Sequence, residues 1–229
     1  HCSFALKRDG WREKDGGIEV VFQSGVIRSP LPGEFNAANI LAAATWADAD
    51  GIALEHIKQG IESVGLIRGR AERIHAGMNQ TFDVVVDYAH TPESLEAIYK
   101  AFGDRRKVCV LGNTGGGRDR WKRPKMAAIA EHYCDSIVLT NEDPYDEDPS
   151  AIISEMVRGM INKNPRIIMD RREAIRAALS DAHEDDVVLI TGKGTDPYIM
   201  GVHGTKTPWD DATVARDELS KILTSAPKI

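Results

Sequence analysis

After Ala71 the chain repeats one pattern, a short run of β-branched and apolar residues followed by a helix signal, and this leaves it few ways to fold. The runs lie at residues 82–87, 107–111, 136–140, 166–169 and 186–191. Each is apolar on both sides, as strands in a sheet covered on both faces must be. Between them stand recognisable helix starts. Thr91 before Pro92 puts a hydroxyl at the cap and proline at the first helical position, and Asp148 before Pro149 repeats the device. Asp170 with Glu173 has capping-box spacing. Such alternation predicts an α/β fold with a Rossmann-like, mostly parallel sheet and right-handed crossovers. Ligands on these sheets bind beyond the carboxyl ends of the strands, so chemistry-bearing residues should follow strands directly.

The first 70 residues have a different texture. Residues 17–28 read as strands, with Gly16-Gly17 and Ser24-Gly25 as turn signals. From Glu34 the pattern becomes helical, with a run of small residues at 39–44. A second helix over 53–64 carries Ile57, Ile61 and Val64 on one face. No phosphate loop of the Gly-x-x-Gly-Lys-Thr kind occurs here. The segment therefore reads as the tail of a domain, and the predicted division is 1–70 and 71–229.

Composition narrows the function classes. A net charge of -6 argues against a general nucleic-acid binder. No apolar run approaches the ~20 residues of a membrane span, and His1, Cys2 and Ser3 do not begin a signal pattern. The three cysteines, Cys2, Cys109 and Cys134, form no Cys-x-x-Cys pair. Cys109 lies in an apolar run, where a buried free thiol is expected, and a reducing, cytoplasmic setting fits that usage.

Four clusters follow strands. Asp87-Tyr88-Ala89-His90-Thr91-Pro92 offers a carboxylate for ribose hydroxyls and an imidazole for a phosphate; equally, Asp87 could cap a turn and His90 sit on the surface. The stretch 112–120, with three consecutive glycines and then Arg118, Asp119 and Arg120, can turn backbone N–H groups and guanidinium forks toward an anion, or be a flexible basic loop. It matches neither the dinucleotide nor the Walker pattern. Trp121, Lys122 and Arg123 could suggest nucleic acid, but Pro124 and the helical run behind it favour a helix start. The acidic loop 141–148, containing Asp143, Tyr145 and Asp146, could meet an amine or a metal, although such runs are mostly solvated turns. Last, Gly192-Lys193-Gly194-Thr195-Asp196 places an ammonium between glycines, either for a phosphate or as an ordinary exposed turn.

Taken in order, these clusters resemble the Mur ligase family. Leu31-Pro32-Gly33-Glu34-Phe35-Asn36 with Asn39, then Gly69-Arg70-Ala71-Glu72-Arg73, lead into the Asp-Tyr-Ala-His-Thr-Pro string. The Gly-Arg-Asp-Arg-Trp-Lys-Arg-Pro stretch, Asp170-Arg171-Arg172 with Ala174-Ile175, and Gly192-Lys193-Gly194 complete the series. The closest likeness is to the branch adding the third amino acid to UDP-N-acetylmuramoyl dipeptide. The resemblance spans residues 31–196 and implies an ATP-dependent ligase using Mg2+, acting through an acyl phosphate. It implies that residues 1–70 close a central ATP-binding domain. By match, Asn36, Arg70, Asp87 and His90 would line the nucleotide site, with His90 and Arg70 nearest the chemistry. Arg118 would grip the incoming amino acid's carboxylate, joined in that pocket by Asp143, Tyr145, Gly192 and Asp196. The implied partners are UDP-muramoyl dipeptide and a free diamino acid, with no nucleic acid or membrane.

Three departures qualify what is implied. The phosphate loop, the magnesium ligands and the UDP-binding domain are expected upstream, so the chain alone should not turn over. Where family members adding meso-diaminopimelate show Asp-Asn-Pro-Arg, this chain has Glu142-Asp143-Pro144-Tyr145. The arginine that reads a distal carboxylate is thus absent, which suits a lysine-like donor. Gly-Lys-Gly-His-Glu becomes Gly-Lys-Gly-Thr-Asp, one methylene shorter at Asp196. The alternatives are a related amide ligase of the cyanophycin or folylpolyglutamate type, and a stand-alone Rossmann-like module that binds nucleotide or amino acid without turnover.

Overall fold

The computed structural model describes residues 10–14 and 16–225; Cys2 and the remainder of the amino terminus lie outside them. Two compact units emerge, one of residues up to Ile67 with Lys100–Phe102, the other of Arg68–Tyr99 and the chain from Gly103 on.

The first unit opens on an antiparallel meander, β1 (Trp11–Lys14), β2 (Gly17–Phe22) and β3 (Gly25–Ser29). Two helices come next, α1 (Glu34–Ala49) and α2 (Leu54–Glu62). Alternation along β2 sends Ile18 and Val20 into a core with Ile27, Ile40, Ala44 and Ile57. The same alternation turns Glu19 to the other face, where Arg12, Arg28 and Lys14 hydrogen-bond it and hold its carboxyl down at about 2. Asn36 is buried, and its Nδ2 donates to Pro32 O at 2.8 Å, fixing the entry to α1.

The second unit is the expected α/β sheet. Its strands are β4 (Glu72–Arg73), β5 (Asp83–Asp87), β6 (Lys107–Leu111), β7 (Ser136–Leu139), β8 (Arg166–Ile167) and β9 (Val187–Thr191). They stand in the order β4-β5-β9-β6-β7-β8, all parallel except the antiparallel edge strand β4. Helices α3 (Pro92–Lys100), α4 (Lys122–Tyr133), α5 (Pro149–Val157), α6 (Arg171–Ser180) and α7 (Asp211–Ser225) complete it, with a hairpin of β10 (Tyr198–Met200) and β11 (Lys206–Pro208). Even-numbered strand residues such as Val86, Val110, Val138 and Ile190 pack with Ala174, Ile175 and Ala178 of α6 and Ala215 and Leu219 of α7. Odd-numbered ones, including Val85, Leu111, Leu139 and Leu189, are as deeply buried on the opposite face. The caps form as the sequence suggests: Asp148 accepts from Ser150 N and Asp170 from Glu173 N, each at 2.9 Å.

One expectation is corrected. Cys109 is not a free thiol; it is joined by a disulfide to Cys134, the residue that ends α4. The odd position of Cys109 points it to the α4 side of the sheet, and 25 residues of separation hide the pairing from local sequence. Both cysteines are buried, so a reductant reaches the sulfurs only when the unit opens.

Candidate active site

Because β5, β9, β6 and β7 run parallel, their carboxyl ends share one edge of the sheet, and all four clusters emerge there. The first and last of them meet around Tyr88, together with Arg70. The exposed Arg70 guanidinium lies 4.8 Å from the centre of the Tyr88 ring, and His90 packs edge-on against it at 4.6 Å. Partial burial and the Asp196 carboxylate, which the hydroxyl hydrogen-bonds, push Tyr88 upward. Asp196 itself is half-exposed, 3.6 Å from Lys193 Nζ.

Asp87 is buried, and both its oxygens are engaged by backbone amides, Ala71 N at 2.7 Å and Ala89 N at 2.8 Å. The bonds it makes are those of a turn cap joining the β4 and β5 ends. Burial raises its carboxyl above the ordinary range, against the two amides and the nearby Arg70 and His90. His90 Nδ1 lies 2.8 Å from Tyr88 O, a carbonyl that can only accept. The Nδ1 proton is thereby fixed, and Nε2 can donate to a phosphate only from the imidazolium.

The glycine-rich loop between β6 and α4 separates three arginines by their partners. Arg123 is buried and bonded to Glu147, Glu155 and Thr114 O. Arg120 is tied to Glu155. Arg118 is exposed, and its guanidinium makes no hydrogen bond or ion pair with the described residues. Gly115 must be glycine: a Cβ there would lie 2.2 Å from Pro144 O. Its N–H donates to Asp143 O at 2.8 Å, binding this loop to the acidic one.

That acidic loop is not a solvated turn. Glu142, Asp143 and Pro144 are buried, while Tyr145 adopts a left-handed backbone (φ 51°) with its ring against Gly116. The Asp143 carboxylate is engaged on both oxygens by Lys193 Nζ (2.9 and 2.7 Å), and Met200 N donates to Oδ1 at 2.8 Å. Lys193 is correspondingly buried, not an exposed turn lysine. Asp146 remains exposed and accepts from His203 N.

Sequence reasoning missed Glu142. Its Oε1 accepts from Thr114 Oγ1 at 2.8 Å, yet no donor reaches the buried Oε2. Burial raises its carboxyl, opposed by Arg171, by the Thr114 hydroxyl and by Lys193. Gly192, in a positive-φ conformation (110°), covers it so closely that a Cβ would stand 2.2 Å from Oε2. The only sequence signal was position: Glu142 lies just after a strand whose neighbours' ends carry the other clusters. Among the described residues no group of three or more His, Cys, Asp or Glu side chains is placed to hold a metal ion.

Comparison with known proteins identifies the family. The family model described as "Mur ligase, glutamate ligase domain" matches residues 69–194. A UDP-N-acetylmuramoyl-L-alanyl-D-glutamate–2,6-diaminopimelate ligase of Oceanobacillus iheyensis is 41% identical over 199 residues, covering 85% of this chain and 40% of the relative. A UDP-N-acetylmuramyl-tripeptide synthetase of Roseiflexus sp. (strain RS-1) is 40% identical over 225 residues, covering 94% and 43%. The solved structure of a diaminopimelate ligase of the same description superposes with a TM-score of 0.64 at 32% identity, covering 90% of this chain and 43% of that one. Folylpolyglutamate synthase of Mycobacterium tuberculosis, at 21% identity and a TM-score of 0.63 (97% of this chain, 49% of that one), shares the fold. The chain spans about two fifths of the length of the curated relatives it matches. On the family model, these relatives and the shared parallel-sheet fold, the chain belongs to the Mur ligase family.

Proposed function

We propose that this chain is the amino-acid-binding portion, with the end of the ATP-binding domain, of a ligase that extends UDP-muramoyl dipeptide by one diamino acid. One observation carries the reading: the Arg118 guanidinium, which makes no hydrogen bond or ion pair with the described residues, shares a sheet edge with a buried carboxyl group, Glu142, one of whose oxygens lacks a donor. A free amino acid presents the complementary pair, a carboxylate for a planar fork and an ammonium for an acidic pocket. The incoming amine must lie near an acyl carbon activated by the γ-phosphoryl of ATP, so the chain's contribution is orientation and charge placement. Arg118 takes the carboxylate. Asp196 supplies negative charge to the ammonium groups and the buried Glu142 carboxyl offers them its free oxygen as a hydrogen-bond acceptor, while Asp143, neutralised by Lys193, shapes the wall with Tyr145 and Gly192. Arg70 and His90 face the nucleotide; Asp87 holds the turn that presents them and offers ribose its remaining lone pairs. Asn36 is carried to the nucleotide site by match alone. Magnesium and the phosphate loop belong to the remainder of such a ligase, and ATP use places the reaction in the cytoplasm.

With Tyr145 where an arginine would read a second carboxylate, lysine is the favoured donor over meso-diaminopimelate. The test is product formation by the intact ligase from UDP-muramoyl dipeptide, ATP and either amino acid in parallel. Lysine should be preferred, and Tyr145→Arg should move preference toward diaminopimelate. Turnover with neither, while ATP is bound, would refute the reading.

A further inference from the structure

Arg171 is the first residue of α6, where the positive end of the helix dipole disfavours a cation. It is nonetheless among the most buried side chains, 1% exposed, facing an Asp211 that is wholly buried. Such a pair needs every donor accounted for, because desolvation of both charges is costly. Arg171 Nε and one terminal nitrogen hold Asp211 at 2.8 and 2.7 Å. The same terminal nitrogen donates to Thr191 O at 2.9 Å, and the other approaches Asn141 O at 3.5 Å. Trp209 Nε1 donates at 2.7 Å to Asp211 Oδ1, the oxygen that also accepts from Arg171 Nε.

Each of the two carbonyls borders a pocket residue. Thr191 immediately precedes Gly192, and Asn141 immediately precedes Glu142. Their strands, β9 and β7, are not neighbours, since β6 lies between them. Two inter-strand spacings, roughly 10 Å, therefore separate the loops, and main-chain pairing cannot set their distance directly. The gap between Gly192 and Glu142 nevertheless leaves no room for a methyl group. One rigid fork reaching both carbonyls from within the sheet is a means of holding that tolerance.

We infer that Arg171, clamped by Asp211, is a positioning residue that brackets the β7 and β9 ends and so sets the spacing of the amino-acid pocket between Glu142 and Gly192. The pocket's role rests on the ligase reading above; the bracket itself does not. Replacing both members by apolar residues, Arg171→Met with Asp211→Leu, removes the bracket without stranding a buried charge, and such replacements commonly preserve stability.

In the intact ligase the double variant should raise the amino-acid KM at least 10-fold, with the ATP KM within 2-fold of the parent. In the 229-residue chain the Gly192 amide, bonded to Asp87 O in the parent, should exchange with deuterium at least 10-fold faster while mid-strand amides keep their protection. If the KM values and Gly192 protection stay at parental values, with only kcat or melting temperature lowered, Arg171 is merely structural and the inference is wrong. Faster exchange at Gly192 in a protein whose parent binds no amino acid would uphold the bracket and sink the ligase reading instead. Arg171→Lys, keeping charge but losing the fork, should show the KM effect without restoring Gly192 protection; full recovery by lysine would overturn the bracketing geometry.

Discussion

At the scale of single residues, partners rather than residue types decide function. Three arginines lie within six positions, and only Arg118 has no partner in the described structure. Arg118→Ala should therefore leave the melting temperature within about 1 °C, as surface changes away from structural features do, yet raise the amino-acid KM 10-fold or more with the ATP KM unchanged. Steady-state kinetics beside a thermal melt separates this from a folding defect, and equal effects on both KM values would remove Arg118 from its role. Glu142 gives a pH dependence of definite sign. Its carboxyl is raised by burial, so the native state keeps a proton that the unfolded chain loses. Stability contributed there is present at low pH and declines as pH rises from the ordinary carboxylate value through the raised one. Glu142→Gln should accordingly melt close to the parent at pH 4 and above it at pH 8; a lower melting temperature at pH 8 would mean that Arg171 outweighs burial. Motif order singles out Arg118 and Gly192 in the sequence, and the structure places both at the carboxyl edge of the sheet. Glu142 was not, since a run of acidic residues looks solvated until neighbouring loops are seen to cover it.

At the scale of elements, legibility tracked local rules. All five parallel strands and the Asp148 and Asp170 caps were readable because periodicity and capping are short-range. The two-residue edge strand β4 is too short to carry a period, and the strands of the β10–β11 hairpin, three residues each and largely exposed, carry no apolar run. Only half of the expected capping box formed: Asp170 caps, but the Glu173 carboxylate is drawn to Arg176 at 2.8 Å. The Cys109–Cys134 bond shows the limit most clearly, because it is the pairing of β6 with β7, which sets Cys109 opposite Ile137, that brings Cys134 beside it. Closing a loop of 25 residues restricts the unfolded chain and should stabilise by roughly 3 kcal/mol. Cys134→Ala should lower unfolding free energy by about that amount in urea, with the m-value rising as the unfolded chain expands. An unchanged midpoint would mean that the thiols are unpaired in solution. The loop enclosed by this bond contains Arg118, so the same bond that ties the end of α4 to the sheet also limits how far that side chain can wander.

At the scale of the whole molecule, two cores of unequal strength share one chain. The first unit has a small core around Ile18, Val20, Ile27, Ile40 and Ile57, with Trp46, Leu66 and Ile67 exposed. A domain near 60 residues buries only about 60% of the surface its unfolded chain exposes, so such a unit is marginal. The second unit has strands buried on both faces, a disulfide and a buried Arg171–Asp211 pair. A chain of residues 68–225 should therefore fold by itself, with one cooperative urea transition and an m-value near that expected for about 150 residues. Residues 1–67 alone should show no such transition. The alternation visible after Ala71 is the reason for this asymmetry: each strand–helix repeat adds a layer to one continuous core, whereas the earlier segment reads as a piece of a larger body. A broad, non-cooperative melt of residues 68–225 would show that the sheet depends on the first unit, and that the change of texture near residue 70 marks a shift in composition without a boundary in stability.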